Sequence, residues 1–225
     1  MKSHKYSVAL GIAVAVTNAA AAASGHDTAE AAQMYPRVGW QIDPVFTVGE
    51  TIKGYTPPGI LDGIGAFSDR GKTVKILANH ELNAEDGYAY ALKNRTLLTG
   101  ARVSFFDIDK KERTIQRAGL AYDKADDRAG DLVVDASQIN EGNAADPASE
   151  GFDRFCSAYG FEKGTDGLLD DVFFTGEETS DGFDTIPLGD GSFGPDPART
   201  PTGFGGQETV IDVRDRTIYV APMLG

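Results

Sequence analysis

The chain has 225 residues, a formal net charge of −13, 27 glycines and a single cysteine. That charge excludes a surface built for nucleic-acid backbones or anionic membranes and instead concentrates divalent cations. Cys156 alone cannot form an internal disulfide, and the length suffices for one substantial core or two small ones.

Residues 1–23 read as a secretion signal: Lys2 and Lys5 make a weakly basic start, 8–16 an apolar stretch and 19–23 a small-residue cleavage region. The stretch is too short and too rich in alanine for a membrane span. The mature chain is therefore expected in the periplasm or secreted, with no membrane span and a charge near −15 once both lysines are removed. Residues 24–58 form an N-terminal segment leading into the fold, and 59–225 the folded domain.

Helical apolar spacing is scarce, while short β-branched and aromatic runs recur between turn residues, which predicts an all-β chain with long loops. The predicted strands are 73–78, 101–108, 113–120, 172–175, 208–213 and 217–221. Phe105, Phe106 and Val103 make the second of these apolar on both faces, as expected between packed neighbours. Residues 123–169 and 179–205, with clusters such as "DKADDRAGD" and "GDGSFGPDP", read as long connections carrying at most a helical turn at 149–159.

The chain also repeats itself. "VKILANHE" (74–81) and "DVFFTGEE" (171–178) both run apolar residues into a small polar pair and a glutamate, about 97 residues apart. "FFDIDKKERTI" (105–115) and "VIDVRDRTI" (210–218) both read as a strand with Asp, a charged turn and Arg-Thr-Ile, about 105 residues apart. The order is the same in each half, which points to repeated β modules such as propeller blades. Two such units do not close a ring, and the sequence ends directly after an apolar strand, so it reads as part of a longer propeller.

Three groups of residues suit chemistry. Asn79, His80 and Glu81 end the strand "VKILA" and could turn an amide oxygen, an imidazole and a carboxylate into one opening; a hydrogen-bonded strand-end turn explains them equally well. Glu177 and Glu178 are adjacent, so in an extended chain they face opposite ways. If both entered one pocket, a cation between them would relieve a repulsion that otherwise raises one pKa. Cys156, in "DRFCSAYGFE", is either a buried small hydrophobe or a thiolate favouring iron or zinc over calcium. The sequence has no Cys-x-x-Cys pair, zincin helix, phosphate-binding Gly-rich loop or nucleophile elbow, and no catalytic residue can be named.

Taken in order, "NHE" after an apolar strand, "DRFCSA", "VFFTGEE" and "GGQETVIDVRDRTIYVAPMLG" resemble the PhoX-type alkaline phosphatases, from about Gly59 to Gly225. The resemblance implies a six-bladed propeller, monomeric when full length. It would hold calcium and iron in its central opening and hydrolyse small-molecule phosphate monoesters outside the cytoplasm. It also implies that Cys156 ligates the iron and that Glu81 and one of Glu177 and Glu178 join the cluster. Two features depart from the family pattern: no Gly-rich segment follows the cysteine, and the signal has no arginine pair. The alternative is a secreted propeller stabilised by calcium that binds a ligand or partner without turnover; a propeller esterase acting on lactones is a third reading.

Overall fold

The computed structural model describes residue 28 and residues 30–68, 71–139, 151–178, 185–187, 193–195 and 208–220; the expected signal, residues 1–23, lies outside them. The described residues form strands β1 (Leu61–Ser68), β2 (Thr73–His80), β3 (Tyr90–Ala91), β4 (Leu97–Gly100), β5 (Arg102–Asp109), β6 (Ile115–Leu120) and β7 (Lys124–Asp126). There follow β8 (Gly151–Phe152), β9 (Phe155–Phe161), β10 (Val172–Glu177), β11 (Thr185–Pro187), β12 (Phe193–Pro195), β13 (Glu208–Asp212) and β14 (Thr217–Val220). Two short 3-10 turns are the only helical elements among the described residues, so the protein is all-β. Among the described residues, no helix is long and apolar enough to cross a membrane.

Two sheets carry the fold. One has the order β1-β2-β5-β6, antiparallel throughout; the other has β9-β10-β13-β14 antiparallel, with β7 added in parallel beside β14. Each sheet is thus two hairpins, with a long excursion between its second and third strands. The excursion in the first sheet contains β3 and β4; in the second it contains β11 and β12. The repeat legible in the sequence is therefore a repeat of topology. Neither sheet closes on itself.

The predicted strands at 73–78, 101–108, 113–120, 172–175, 208–213 and 217–221 correspond to β2, β5, β6, β10, β13 and β14. β5 lies between β2 and β6 and buries both faces. Val103 joins Leu77, Phe152, Phe155, Phe173, Ile211 and Ile218 in the main core. Phe106 joins Ile52, Ala78 and Ile115 in a smaller core on the other face, where Phe46 stacks on it at a centroid distance of 4.3 Å. Val45, Phe46 and Ile52, from the segment that precedes β1, thus cover part of that face. Burying a ring such as Phe106 stabilises the fold by roughly 1.5–3 kcal/mol.

Among the described residues of 149–159 the expected helical turn does not occur: residues 151–152 form β8 and 155–161 form β9. Cys156, Ala158 and Gly160 alternate along one face of β9, and β1 packs directly against them. A Cβ on Gly63 would lie 2.5 Å from Ala158 Cβ and 2.7 Å from the Cys156 carbonyl oxygen, and one on Gly160 would meet the Phe67 ring at 2.8 Å. Small residues on both strands permit this approach, although they lower the strand propensity of each.

Candidate metal centre

Four strand ends meet where the two sheets touch. Asp62 is the second residue of β1 and Glu81 follows the last residue of β2; the Leu61–His80 pairing and a bond from Glu81 N–H to the Ile60 carbonyl (2.9 Å) hold them together. Cys156 is the second residue of β9, and Glu178 follows the end of β10. Residue 154 joins the two sheets: Arg154 N–H donates to the Leu82 carbonyl (2.8 Å), and its own carbonyl accepts from Glu178 N–H (3.0 Å). These contacts bring a carboxylate oxygen of Asp62, one of Glu81 and the Cys156 sulfur within 4.8 Å of one another.

The electrostatics of this group are those of an anionic nest. The Glu178 and Asp62 carboxylates beside the Cys156 thiol favour its protonated form and push its pKa up to about 12. The thiol therefore keeps its proton at neutral pH and is no nucleophile in this state. Arg154 Nη2 lies 2.7 Å from Glu81 Oε1 and 3.9 Å from Glu178 Oε2 and balances part of the charge. Its backbone sits at φ 44°, a left-handed conformation costly for a residue with a Cβ, held by the two bonds that join the sheets. Carboxylate oxygens suit calcium, and a sulfur among them suits iron or zinc. The donors fit a mixed hard and soft cation group, in which a cation would take the place of the thiol proton.

The six residues predicted from sequence separate here. Glu81, Cys156 and Glu178 come together. Glu177 turns away from its neighbour, as the strand geometry requires, and Oε1 accepts from Asp153 N–H at 2.9 Å. Asn79 is fully buried beneath the centre; its Nδ2 donates to the Cys156 carbonyl (3.1 Å) and Thr175 Oγ1 (2.7 Å), while its Oδ1 makes no hydrogen bond. It therefore supports the cysteine's backbone.

His80 lies in the core with both ring nitrogens engaged, Nδ1 with the Gly59 carbonyl (3.1 Å) and Nε2 with Ser104 Oγ (2.6 Å). A carbonyl only accepts, so Nδ1 carries the proton and Nε2 accepts from Ser104, whose oxygen in turn accepts from Tyr55 O–H at 2.7 Å. Burial pulls the His80 pKa down to about 4 and keeps the ring neutral. This chain of bonds accounts for His80 as a structural residue, and the structure does not bring it to the cluster.

Sequence reasoning missed Asp62 and Arg154. Asp62 lies in the glycine-interrupted "LDGIG", which propensity does not mark as a strand. Arg154 stands two residues before Cys156 in "DRFC", and a cation so close to the single cysteine was the available signal. No family model, no curated protein and no solved structure matches this chain significantly.

Proposed function

We propose that the chain is part of a PhoX-like propeller, exported from the cytoplasm, that hydrolyses phosphate monoesters with calcium and iron. The observation that carries the reading is the convergence of Asp62, Glu81 and Cys156 donors within 4.8 Å, from strands far apart in sequence. The repeated four-stranded units support the propeller, as does the row Tyr159, Phe174, Val210 and Tyr219 across the second sheet. Its three aromatic rings are 38–63% exposed, and this is the kind of surface a neighbouring blade would cover.

In this reading Asp62, Glu81 and Glu178 are the oxygen donors, and Cys156 is the sulfur donor once its proton is released. The bound ions would supply Lewis acidity toward the phosphoryl oxygens. Arg154, on the rim and 44% exposed, offers a guanidinium fork that exchanges Glu81 for a phosphoryl oxygen and orients the ester. Asn79 fixes the Cys156 backbone from below, and Glu177 fixes that of Asp153.

The test measures hydrolysis of a chromogenic phosphate ester and metal content together, in the wild type and in Cys156→Ser. Stoichiometric iron that is lost with the cysteine, and turnover abolished by chelator, are expected. Calcium alone, with Cys156 alkylated in the native state and no turnover, would assign the chain to the non-catalytic binding propeller instead.

A further inference from the structure

At the other end of the sheets, a cleft of about 260 Å³ opens between β2, β5 and β6 on one side and the β13–β14 turn on the other. It lies six residues along β2 from Glu81, about 20 Å at the rise of an extended chain. We propose that this cleft is a second ligand site, which takes the phosphoryl group of a small polar molecule. The proposal stands apart from the metal-centre reading and does not require it.

Lys75, Arg117, Arg214 and Arg216 all line the cleft, and among the described residues no carboxylate does, in a chain whose net charge is −13. The register explains how the cations gather. Lys75, Asp107 and Arg117 stand opposite one another on three adjacent strands, so one buried carboxylate lies between two cations, at 2.7 Å and 2.5 Å. Two positive charges share one negative charge, and the row keeps a surplus. On the same face the Phe105 ring lies over Gly119, where a Cβ would come within 3.0 Å of it. Lys75, Arg117 and Arg216 surround that ring at 4.3, 6.0 and 5.7 Å from its centroid.

Arg216 arrives from the second sheet. Its Nη2 donates to the Leu120 carbonyl at 2.9 Å, but its Nε is buried without a hydrogen bond, 3.8 Å from Asp123 Oδ2. A buried guanidinium N–H without an acceptor is costly, and an oxyanion in the cleft would relieve that cost. Among the described residues the Arg214 guanidinium pairs with Asp170, at 3.4 Å, and shares it with Lys163. Fork-like guanidinium donors around one small cavity match a tetrahedral oxyanion better than a single carboxylate.

The cleft adjoins a larger one of about 630 Å³ through Lys75, Val213 and Arg214. That compartment also contains Glu162, Asp170 and Asp171, so its lining carries both signs of charge. It suits the hydroxyl or amine groups of a ligand body, with the phosphoryl group held in the basic end.

Calorimetric titration of the whole chain with orthophosphate and with 2-aminoethylphosphonate, in chelator, separates this site from any metal-dependent one. The carbon–phosphorus bond also removes hydrolysis as a complication. Arg117 and Arg214 side chains are 68% and 80% exposed, so their replacement by serine leaves the core intact. The double variant is expected to bind both anions about tenfold more weakly or worse. The Arg117→Lys, Arg214→Lys pair should recover part of the affinity, and Cys156→Ser should bind like the wild type. Tighter binding of 2-aminoethylphosphonate than of orthophosphate would show that the larger compartment holds the ligand body; the reverse order would overturn that part of the assignment. Absence of binding by the wild type, or equal affinity in the serine double variant, would overturn the site. Malonate bound as tightly as the phosphonate would overturn the phosphoryl assignment.

Discussion

Asp109 and Asp212 close the same turn in two hairpins that lie more than a hundred residues apart. Asp109 Oδ1 accepts from Lys111 and Glu112 N–H, and Asp212 Oδ1 accepts from Arg214 and Asp215 N–H, all at 2.8–2.9 Å. Each turn then returns through an arginine at φ 58°, Arg113 or Arg216, whose N–H bonds back to the aspartate carbonyl at 2.8 Å. The repeat therefore extends from topology to individual hydrogen bonds.

If both aspartates act as turn locks, Asp109→Ala and Asp212→Ala should each lower the melting temperature by a few degrees, on the order of 2–4 °C. Asn in either position keeps an acceptor oxygen and should cost less. Thermal melts followed by circular dichroism compare the four variants; an Asn variant as unstable as its Ala counterpart would show that the acceptor does not hold the turn.

Gly63 tests the contact between the sheets. In Gly63→Ala the new methyl would meet Ala158 Cβ at 2.5 Å, and the Cys156 oxygen and Ala158 nitrogen at 2.7 and 2.8 Å; backbone atoms cannot yield as a side-chain tip can. The strands must part, at a cost on the order of 1–3 kcal/mol. The same movement separates Asp62 from Cys156, so calcium binding should weaken as well. Gly59→Ala, with nothing within 4 Å of the added methyl, is the control and should change neither quantity. Denaturant titration and calcium calorimetry read the two effects.

Gly63 also shows why the fold was only partly legible in the sequence. Strands such as β2, β5 and β14 bury β-branched and aromatic residues against neighbours, so their composition announces them. β1 and β9 are strands because Gly63, Ala158 and Gly160 let them approach closely, and that advantage exists only once both are in place. The candidate site divides in the same way. Glu81 and Glu178 sit at strand ends visible as motifs, whereas Cys156 stood out by its chemistry in a stretch that reads as a connection. Asp62 belongs to the strand that composition concealed, and His80 satisfies itself through Ser104 and Gly59, partners that adjacency in sequence does not reveal.

Two buried tyrosines, Tyr90 and Tyr122, and the half-buried Tyr55 set an alkaline limit on stability. Burial raises the pKa of Tyr90 to about 12 and pushes those of Tyr55 and Tyr122 up as well, while Tyr90 and Tyr122 share a 2.8 Å hydrogen bond between hydroxyls. In the unfolded chain these groups ionise near pH 10. Between that pH and their folded values the native state holds more protons, so stability is complete below pH 10 and declines above it. For Tyr90 alone the loss is about 2 kcal/mol by pH 12. Phenolate absorbance from these three rings should appear together with the loss of near-ultraviolet circular dichroism, and Tyr90→Phe with Tyr122→Phe should move the alkaline midpoint upward.

Arg154 lies where two demands conflict. Its guanidinium, 2.7 Å from Glu81, competes with any cation for the carboxylates, yet under the proposed function it also receives the phosphoryl group. Arg154→Gln removes one positive charge beside the donors, so calcium should bind a few-fold to about tenfold more tightly to the metal-free chain. Catalysis should respond in the opposite sense, with a higher KM for the phosphate ester, because the fork that orients it is gone. Arg154→Lys keeps the charge and loses the fork; calcium affinity should stay near that of the wild type while KM still rises. Weaker calcium binding in Arg154→Gln would instead mean that the guanidinium acts mainly by holding Glu81 and Glu178 in the geometry the site needs.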